Sequence, residues 1–273
     1  MLKSILALAM IVVLGCAEAR AIIMRHDVPE EKYRVDASVF PALVDLPREG
    51  HGVLVAPFWV VTVAREVAGR DIKEVTINGV ARPVAKVVIH PGYKETPKSL
   101  YTGDAAPLMT FERDVDDIAM IELKDEVTDV QPAVMYRGDG EAKEVAEILG
   151  KGSTGNGYVG EYPGSPRRGT LHRAYTRIEA TDGRWLKLQF HTKREAEPLE
   201  GMPGNGDEGG PVLIKVHGTP VLVALMCRDY AIGDLASYPF FHYDGETYNT
   251  RISYYAPWID GVMAGSDTDK VTQ

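Results

Sequence analysis

Residues 52–65, GVLVAPFWVVTVAR, decide the fold class of this sequence. Two apolar runs rich in valine flank the pair Pro57 and Phe58, and Arg65 follows the second run. Proline interrupts a strand because it lacks the backbone N–H that a sheet ladder needs, whereas β-branched residues favour strands. The stretch therefore predicts a strand, a turn at Pro57 and a second strand that ends at Arg65.

Further apolar runs of strand length recur along the chain, separated by glycine, proline or charged residues. They lie at residues 84–89, 118–123, 186–190, 212–216 and 221–226. Many short strands with turns between them are typical of a sandwich or a barrel. Short helical segments are expected at residues 64–68, 141–148 and 253–263.

An aromatic-rich segment precedes the last part of the chain. Asp244 and Gly245 predict a tight hairpin turn between residues 240–243 and 246–248. Aromatic side chains in such a segment either bind a partner or pack inward as a plug over the core, and the plug is the favoured interpretation. The aromatic residues are Tyr238, Phe240, Phe241, Tyr243 and Tyr248.

Composition and charge favour a folded protein without a nucleic-acid partner. The chain has 273 residues, of which 45% are hydrophobic and 25% charged, enough for a packed core. Its net charge of −9 opposes binding to nucleic acid, which needs a basic surface. Of its two cysteines, Cys16 lies near the N-terminus, so removal of an export signal leaves Cys227 without a partner. No disulfide is predicted.

The N-terminal residues have the three-part pattern of an export signal. Lys3 is basic, residues 5–14 form an apolar run too short to span a bilayer, and residues 17–19 are small enough for cleavage. We therefore expect residues 1–19 to be a signal peptide and the mature protein to be secreted or periplasmic. A lipid anchor at Cys16 is the alternative, and no membrane span is predicted.

Four segments carry the functional signal when they are taken together. The strand that ends at Arg65 comes first, and HPGY at residues 90–93 follows a later strand. DIAM at residues 117–120 places an acid at the start of a buried strand, and GDEGGP at residues 206–211 is a glycine-rich turn. Their content and order resemble the chymotrypsin/trypsin family of serine proteases, whose corresponding motifs are TAAH, HPxY, DIAL and GDSGGP.

Two more segments extend this resemblance to about residues 22–262. A glycine-rich stretch at residues 150–157 resembles the family's crossing between barrels, and YNTRI at residues 248–252 resembles its C-terminal signature. The resemblance implies an all-β, trypsin-like fold of two six-stranded antiparallel β-barrels with a short C-terminal helix. The implied boundaries are a domain at residues 20–262, a first barrel at about 22–148, a second barrel at about 149–250, a helix at about 253–263 and a polar tail at 264–273.

The same resemblance assigns roles to five residues. Asp117 matches the acid of the catalytic triad, Arg65 matches the histidine, and Glu208 matches the serine. Gly206 matches the oxyanion hole, and Met202 matches the floor of the specificity pocket. Arginine stays protonated and accepts no proton, and a carboxylate is a poor nucleophile toward an amide. We therefore expect a degenerate triad in a proteolytically inactive homologue.

Charge at these positions suggests two further hypotheses. Arg65 and Glu208 are expected to form an ion pair, with Asp117 as a second acceptor. Asp207 matches the residue that pairs with the freed N-terminus of active relatives. Because Arg20 is favoured as the first mature residue rather than as a processing site, Asp207 is expected to accept hydrogen bonds from backbone N–H groups instead.

These residues favour a binding or regulatory module for a peptide or protein. One alternative is an active hydrolase with a non-standard arrangement, for example Asp117 and Glu208 as an acid–base pair. In that case Arg65 should lower the pKa of both carboxyls, which is wrong for a general acid. A vestigial structural domain is the third possibility. No cofactor is predicted, and no metal either, because Asp114 and Asp116 lack the spacing of a calcium loop.

Overall fold

Two closed β-barrels form the protein, as seen in a computed structural model that describes residues 21–265 except 167 and 193. A short strand, β1 (Ile22–Met24), precedes the first barrel. The first barrel closes in the order β2-β3-β4-β7-β6-β5, with antiparallel neighbours throughout. Its strands are β2 (Leu43–Asp45), β3 (His51–Ala56), β4 (Trp59–Thr62), β5 (Glu74–Ile77), β6 (Val80–Ile89) and β7 (Ala119–Leu123).

The remaining strands form the second barrel and a small sheet. They are β8 (Val145–Gly150), β9 (Thr154–Asn156), β10 (Gly160–Glu161), β11 (His172–Asp182), β12 (Trp185–Gln189), β13 (Gly201–Met202), β14 (Pro211–Val216), β15 (Thr219–Tyr230) and β16 (Glu246–Arg251). The second barrel closes in the order β11-β12-β16-β15-β14-β8. The small sheet has the order β10-β9-β1-β13, with β1 parallel to β9. The predicted all-β fold of two six-stranded antiparallel barrels is confirmed.

Two α-helices accompany the barrels among the described residues. They are α1 (Ala105–Arg113) and α2 (Ile252–Met263), and one of four short 3-10 segments in the described chain covers Ala64–Glu66. The C-terminal helix and the turn after β4 were predicted. The helix predicted at residues 141–148 is wrong, because the segment enters β8, where Ala146 and Ile148 are buried and alternate with more exposed neighbours.

Helix α1 was not predicted, although its start carries a recognisable signal. The Oδ1 atom of Asp104 accepts a hydrogen bond of 2.7 Å from the N–H of Ala106, which is a typical N-cap. The hairpin predicted around Asp244 is also wrong. The residues before Asp244 form turns, and only β16 follows as a strand. They pack against α1 and the small sheet rather than against a partner strand.

The junction of the two barrels brings the predicted site residues close together. Arg65 lies in the 3-10 turn directly after β4, and Asp117 lies two residues before β7. Glu208 belongs to the turn that leads into β14, while Arg228 lies on β15. The valine-rich strands β3 and β4 are almost wholly buried in a core that also includes residues of α2. Burial of each such side chain stabilises the fold by roughly 1.5–3 kcal/mol.

The two ends of the chain lie outside the part that the structure describes. Residues 1–20 and 266–273 lie outside the described residues, and with them the predicted signal peptide, Cys16 and Arg20. Cys227 is a free, buried cysteine. No helix within residues 21–265, residues 167 and 193 apart, is long and apolar enough to cross a membrane.

Candidate functional site

Asp117 is the centre of the site, and its carboxylate is surrounded by donors. Its side chain is fully buried. Its Oδ1 atom accepts a hydrogen bond of 2.9 Å from the backbone N–H of Arg65, and Oδ2 accepts one of 2.6 Å from Arg65 Nε. Arg228 Nη2, at 2.7 Å, and the thiol of Cys227, at 3.3 Å, also donate to Oδ2. Donors from both barrels thus fix the carboxylate.

Helix α1 supplies a second carboxylate to the same cluster. Glu112 Oε2 lies 2.7 Å from Arg228 Nη1, and Oε1 lies 3.6 Å from Arg65 Nη2. Arg65, Asp117, Arg228 and Glu112 therefore alternate in sign, and we call these four residues the charge network. Their side chains are 26%, 0%, 7% and 6% exposed, respectively. Because two cations face two anions, no net charge is buried.

The charge network keeps Asp117 and Arg65 ionised. Burial alone would raise the pKa of Asp117, but the guanidinium groups of Arg65 and Arg228 outweigh it and lower that pKa. Burial would lower the pKa of Arg65, but Asp117, Cys227 and Glu112 raise it well above its ordinary value. Burial raises the pKa of Cys227 to about 11, so its thiol is protonated near neutrality and is no nucleophile.

Glu208 occupies a different environment in the glycine-rich turn. Its Oε2 atom accepts a hydrogen bond of 2.7 Å from the N–H of Gly206, and its backbone oxygen accepts one from His51. The turn needs glycine at the next position. A Cβ atom on Gly209 would lie 2.0 Å from the His51 oxygen, and its φ of +78° is left-handed. The N–H predicted to serve the oxyanion hole is thus occupied by the side chain of Glu208 itself.

The predicted ion pair between Arg65 and Glu208 is wrong. No ion pair joins these two described residues, because the guanidinium of Arg65 pairs with Asp117 and Glu112 instead. Burial, together with the carboxylates of Glu66 and Asp207, raises the pKa of Glu208 to about 7 against the opposing effect of backbone N–H groups. The expectation that Arg65 lowers both pKa values therefore holds for Asp117 and fails for Glu208.

Asp207 is satisfied by the backbone, as predicted. The N–H of Gly152 donates to its Oδ1 at 2.7 Å, and the N–H of Gly204 donates to its Oδ2 at 2.9 Å. The carboxyl is fully buried, and burial raises its pKa despite these bonds. The chain close to the N-terminus lies nearby in the fold, since β1 pairs with β9 and β13 and Ile22 is completely buried.

A central cavity of about 470 Å³ opens beside Glu208. Asp229 also lines it, and burial together with the carboxylates of Glu208 and Glu161 raises the pKa of Asp229 well above its ordinary value. We call Glu208 and Asp229 the acidic wall. The apolar lining comes from α1 and from the aromatic segment, including Leu108, Met109, Leu235, Phe240 and Phe241.

The aromatic residues and Met202 lie inside the fold rather than on a free hairpin. Tyr238 and Phe240 pack on the buried face of α1, whereas Phe241 and Tyr243 pack against a cluster of Ile23, Phe190 and Met202. Met202, the residue expected at the pocket floor, does not line the central cavity. The packing agrees with the plug interpretation of the aromatic segment.

No histidine ring in the described part of the chain hydrogen-bonds to a serine hydroxyl. The bonded rings pair with Tyr243, Gly92, Glu200 and backbone groups. Ser153 lies beside the glycine-rich turn, where its N–H donates to Asn205, but its buried hydroxyl has no partner. The described residues therefore hold no serine–histidine pair of the kind that acyl transfer needs.

Sequence reasoning missed Arg228 and Glu112. Arg228 follows the buried run of β15, and a cation directly after buried residues is a signal of a buried ion pair. Glu112 lies four residues after Leu108, on the buried face of α1. Comparison of the chain with protein-family models and with curated proteins finds no match.

Proposed function

We propose that this chain is an exported, proteolytically inactive homologue of the trypsin-like serine proteases that serves as a binding or regulatory module for a peptide or protein. The double-barrel fold supports the relationship. One observation carries the proposal of inactivity. Oδ2 of Asp117, the residue matched to the triad acid, already accepts hydrogen bonds from Arg65 Nε and Arg228 Nη2, so it is not free to orient a catalytic base.

The chemistry of Arg65 and Glu208 also supports the proposal of inactivity. A permanently protonated Arg65 accepts no proton, and Glu208 has no hydroxyl to acylate. Loss of triad members typically lowers turnover by a factor on the order of 10⁴ to 10⁶. The central cavity remains open beside these groups, which favours a ligand-binding role over a vestigial domain whose cleft is filled.

The test of inactivity is turnover of pooled peptide and ester substrates between pH 5 and pH 9. We expect the purified protein to show no turnover above the rate in buffer. The variant with Arg65→His and Glu208→Ser should be inactive too, because Arg228 and Cys227 still donate to Asp117 and compete with the new histidine. Turnover by the unmodified protein would overturn the proposal.

A hydrolase that uses Glu208 as general acid is the second candidate. A pKa of about 7 suits proton transfer near neutrality, and this observation favours it. Asp117 does not fit the partner role, because its lowered pKa keeps it ionised and its oxygens are occupied. A bell-shaped pH–rate profile that Glu208→Gln abolishes is the result that would establish this candidate.

Export is proposed from the N-terminal pattern alone. Mass spectrometry of the protein recovered outside the cytoplasm tests it. We expect a first residue of Arg20, as cleavage after Ala19 predicts. A chain that begins with a lipidated Cys16 would establish the anchored alternative, and full-length protein confined to the cytoplasm would overturn export.

A further inference from the structure

In two adjoining cavities on the first barrel, cations outnumber acidic residues in the lining. The proximal cavity, of about 340 Å³, lies beside Arg65 and Arg228. The distal cavity, of about 740 Å³, lies along β6. Arg70 lines both, so the two cavities are neighbours. The other cations are Lys94 and Lys98 in the proximal cavity and Lys73, Lys86 and Lys124 in the distal one, whereas Glu95 and Asp71 are the acidic lining residues.

Three of these cations have charge available for a ligand. Arg70 lies 2.9 Å from Glu66, and Lys86 lies 3.0 Å from Glu122, so these two are paired. In contrast, Lys94, Lys98 and Lys124 are exposed. Within the part of the chain that the structure describes, none of the three forms an ion pair or a side-chain hydrogen bond. A concentration of unpaired positive charge in a chain of net charge −9 marks a surface for an anionic ligand.

The apolar residues that line the distal cavity between its cations limit the class of ligand that fits. Val67, Ile72, Val84, Val87 and Ile89 line the distal cavity between its lysines. A free phosphate is bound by convergent hydrogen-bond donors, and contact with apolar side chains does not stabilise it. A ligand that fits must present both carboxylates and apolar side chains, and both volumes lie within the usual range of binding sites. An acidic peptide has this chemistry.

We propose that the two cavities bind an acidic peptide segment, with its carboxylates on Lys94, Lys98 and Lys124 and its apolar side chains on the wall of the distal cavity. The inference rests on the proposed function, since it names the ligand of the binding module. It also places the acidic peptide in cavities other than the central one, which is lined by Glu112, Glu208 and Asp229 as well as by Arg65 and Arg228. A nucleic acid is disfavoured because the surface is small and carries Asp71 and Glu95 at its edge.

Fluorescence anisotropy with a labelled peptide of about ten residues tests the proposal, a length chosen to span both cavities. In this peptide glutamate alternates with leucine, and its matched control carries glutamine in place of glutamate. We expect the acidic peptide to bind and the glutamine peptide to bind about tenfold more weakly. The acidic peptide should also bind more weakly as salt is raised, because exposed charges are screened.

Matched charge reversals locate the site. Lys94→Glu with Lys98→Glu should weaken binding about tenfold, and Lys124→Glu should weaken it about threefold. The control variant, Lys32→Glu with Lys215→Glu, makes the same change in net charge at exposed residues outside both cavities. We expect less than about a twofold effect there, since these lysines do not line either cavity and exposed charges are screened by salt. All three variants change exposed lysines, and their thermal unfolding verifies that they fold.

Three results would overturn this inference. One is the absence of binding up to about 1 mM acidic peptide, the weakest range of specific affinity. The second is an equal loss in the control variant and in the variant of Lys94 and Lys98. The third is an oligonucleotide that displaces the peptide at lower concentration. None of these results bears on the proposal of inactivity, which recovery of the peptide in cleaved form would contradict in this experiment.

Discussion

The charge network and the acidic wall lie side by side at the barrel junction, yet they handle buried charge in opposite ways. In the charge network each carboxylate faces a guanidinium, so Asp117 stays ionised with a lowered pKa. In the acidic wall neither Glu208 nor Asp229 forms an ion pair with another described residue, and burial makes both hold protons to higher pH. The same fold thus neutralises one group by pairing and the other by protonation.

The largest effect should come from breaking the charge network. Asp117→Asn removes the anion that faces both Arg65 and Arg228, and we expect the free energy of unfolding to fall by about 3–5 kcal/mol, as for other buried pairs that lose one partner. Urea unfolding at pH 7 measures it. Asp260→Asn is the matched control, because its exposed pair with Arg137 should contribute less than about 1 kcal/mol. Equal losses in the two variants would contradict the distinction between buried and exposed pairs.

Glu208 of the acidic wall should make the free energy of unfolding depend on pH. Folded Glu208 keeps its proton up to about pH 7, whereas the unfolded chain releases it near 4.5. The folded state therefore binds more protons between these values, and its stability decreases as the pH rises through them. Glu208→Gln carries no such charge, so its stability relative to the unmodified protein should rise by about 1–3 kcal/mol from pH 5 to pH 8. A difference that does not change with pH would show that Glu208 has an ordinary pKa.

The smallest effect should come from the helix that delivers Glu112. Asp104→Ala removes the N-cap of α1, and we expect a loss of about 1 kcal/mol in the free energy of unfolding. Asp104→Asn keeps an acceptor at the same place and serves as the control. If the alanine and asparagine variants are equally stable, the N-cap does not stabilise α1, the helix that places Glu112 in the charge network.

Much of the fold followed from local patterns in the sequence. Valine-rich runs such as residues 52–55 and 60–63 became β3 and β4, because a run of β-branched residues bounded by proline or glycine has few other stable conformations. The segment at residues 141–148 was misassigned as a helix. Its short apolar pattern fits the repeat of a helix as well as that of a strand, and only pairing within the barrel makes it a strand. Helix α1 was missed because its signal is one capping residue.

The site was predictable only where a motif surrounded the residue. Arg65, Asp117 and Glu208 lie in motifs, and the structure brings them to one junction. Their partners depended on tertiary contacts between distant strands, so Glu112 and Arg228 were missed. Arg65 was expected to pair with Glu208 first and with Asp117 second, whereas only the pair with Asp117 forms. Long-range ion pairs have no fixed spacing in the sequence, and pattern reasoning cannot find them.

Intact-mass measurement with a serine-directed phosphonate probe tests the central claim most directly. The probe forms a covalent bond only with a serine that a neighbouring base activates. The account predicts that the mass stays unchanged after prolonged incubation, while an active trypsin-like protease in the same tube gains one adduct. An adduct on Ser153, or on any other serine of this chain, would contradict the proposal that the protein is proteolytically inactive.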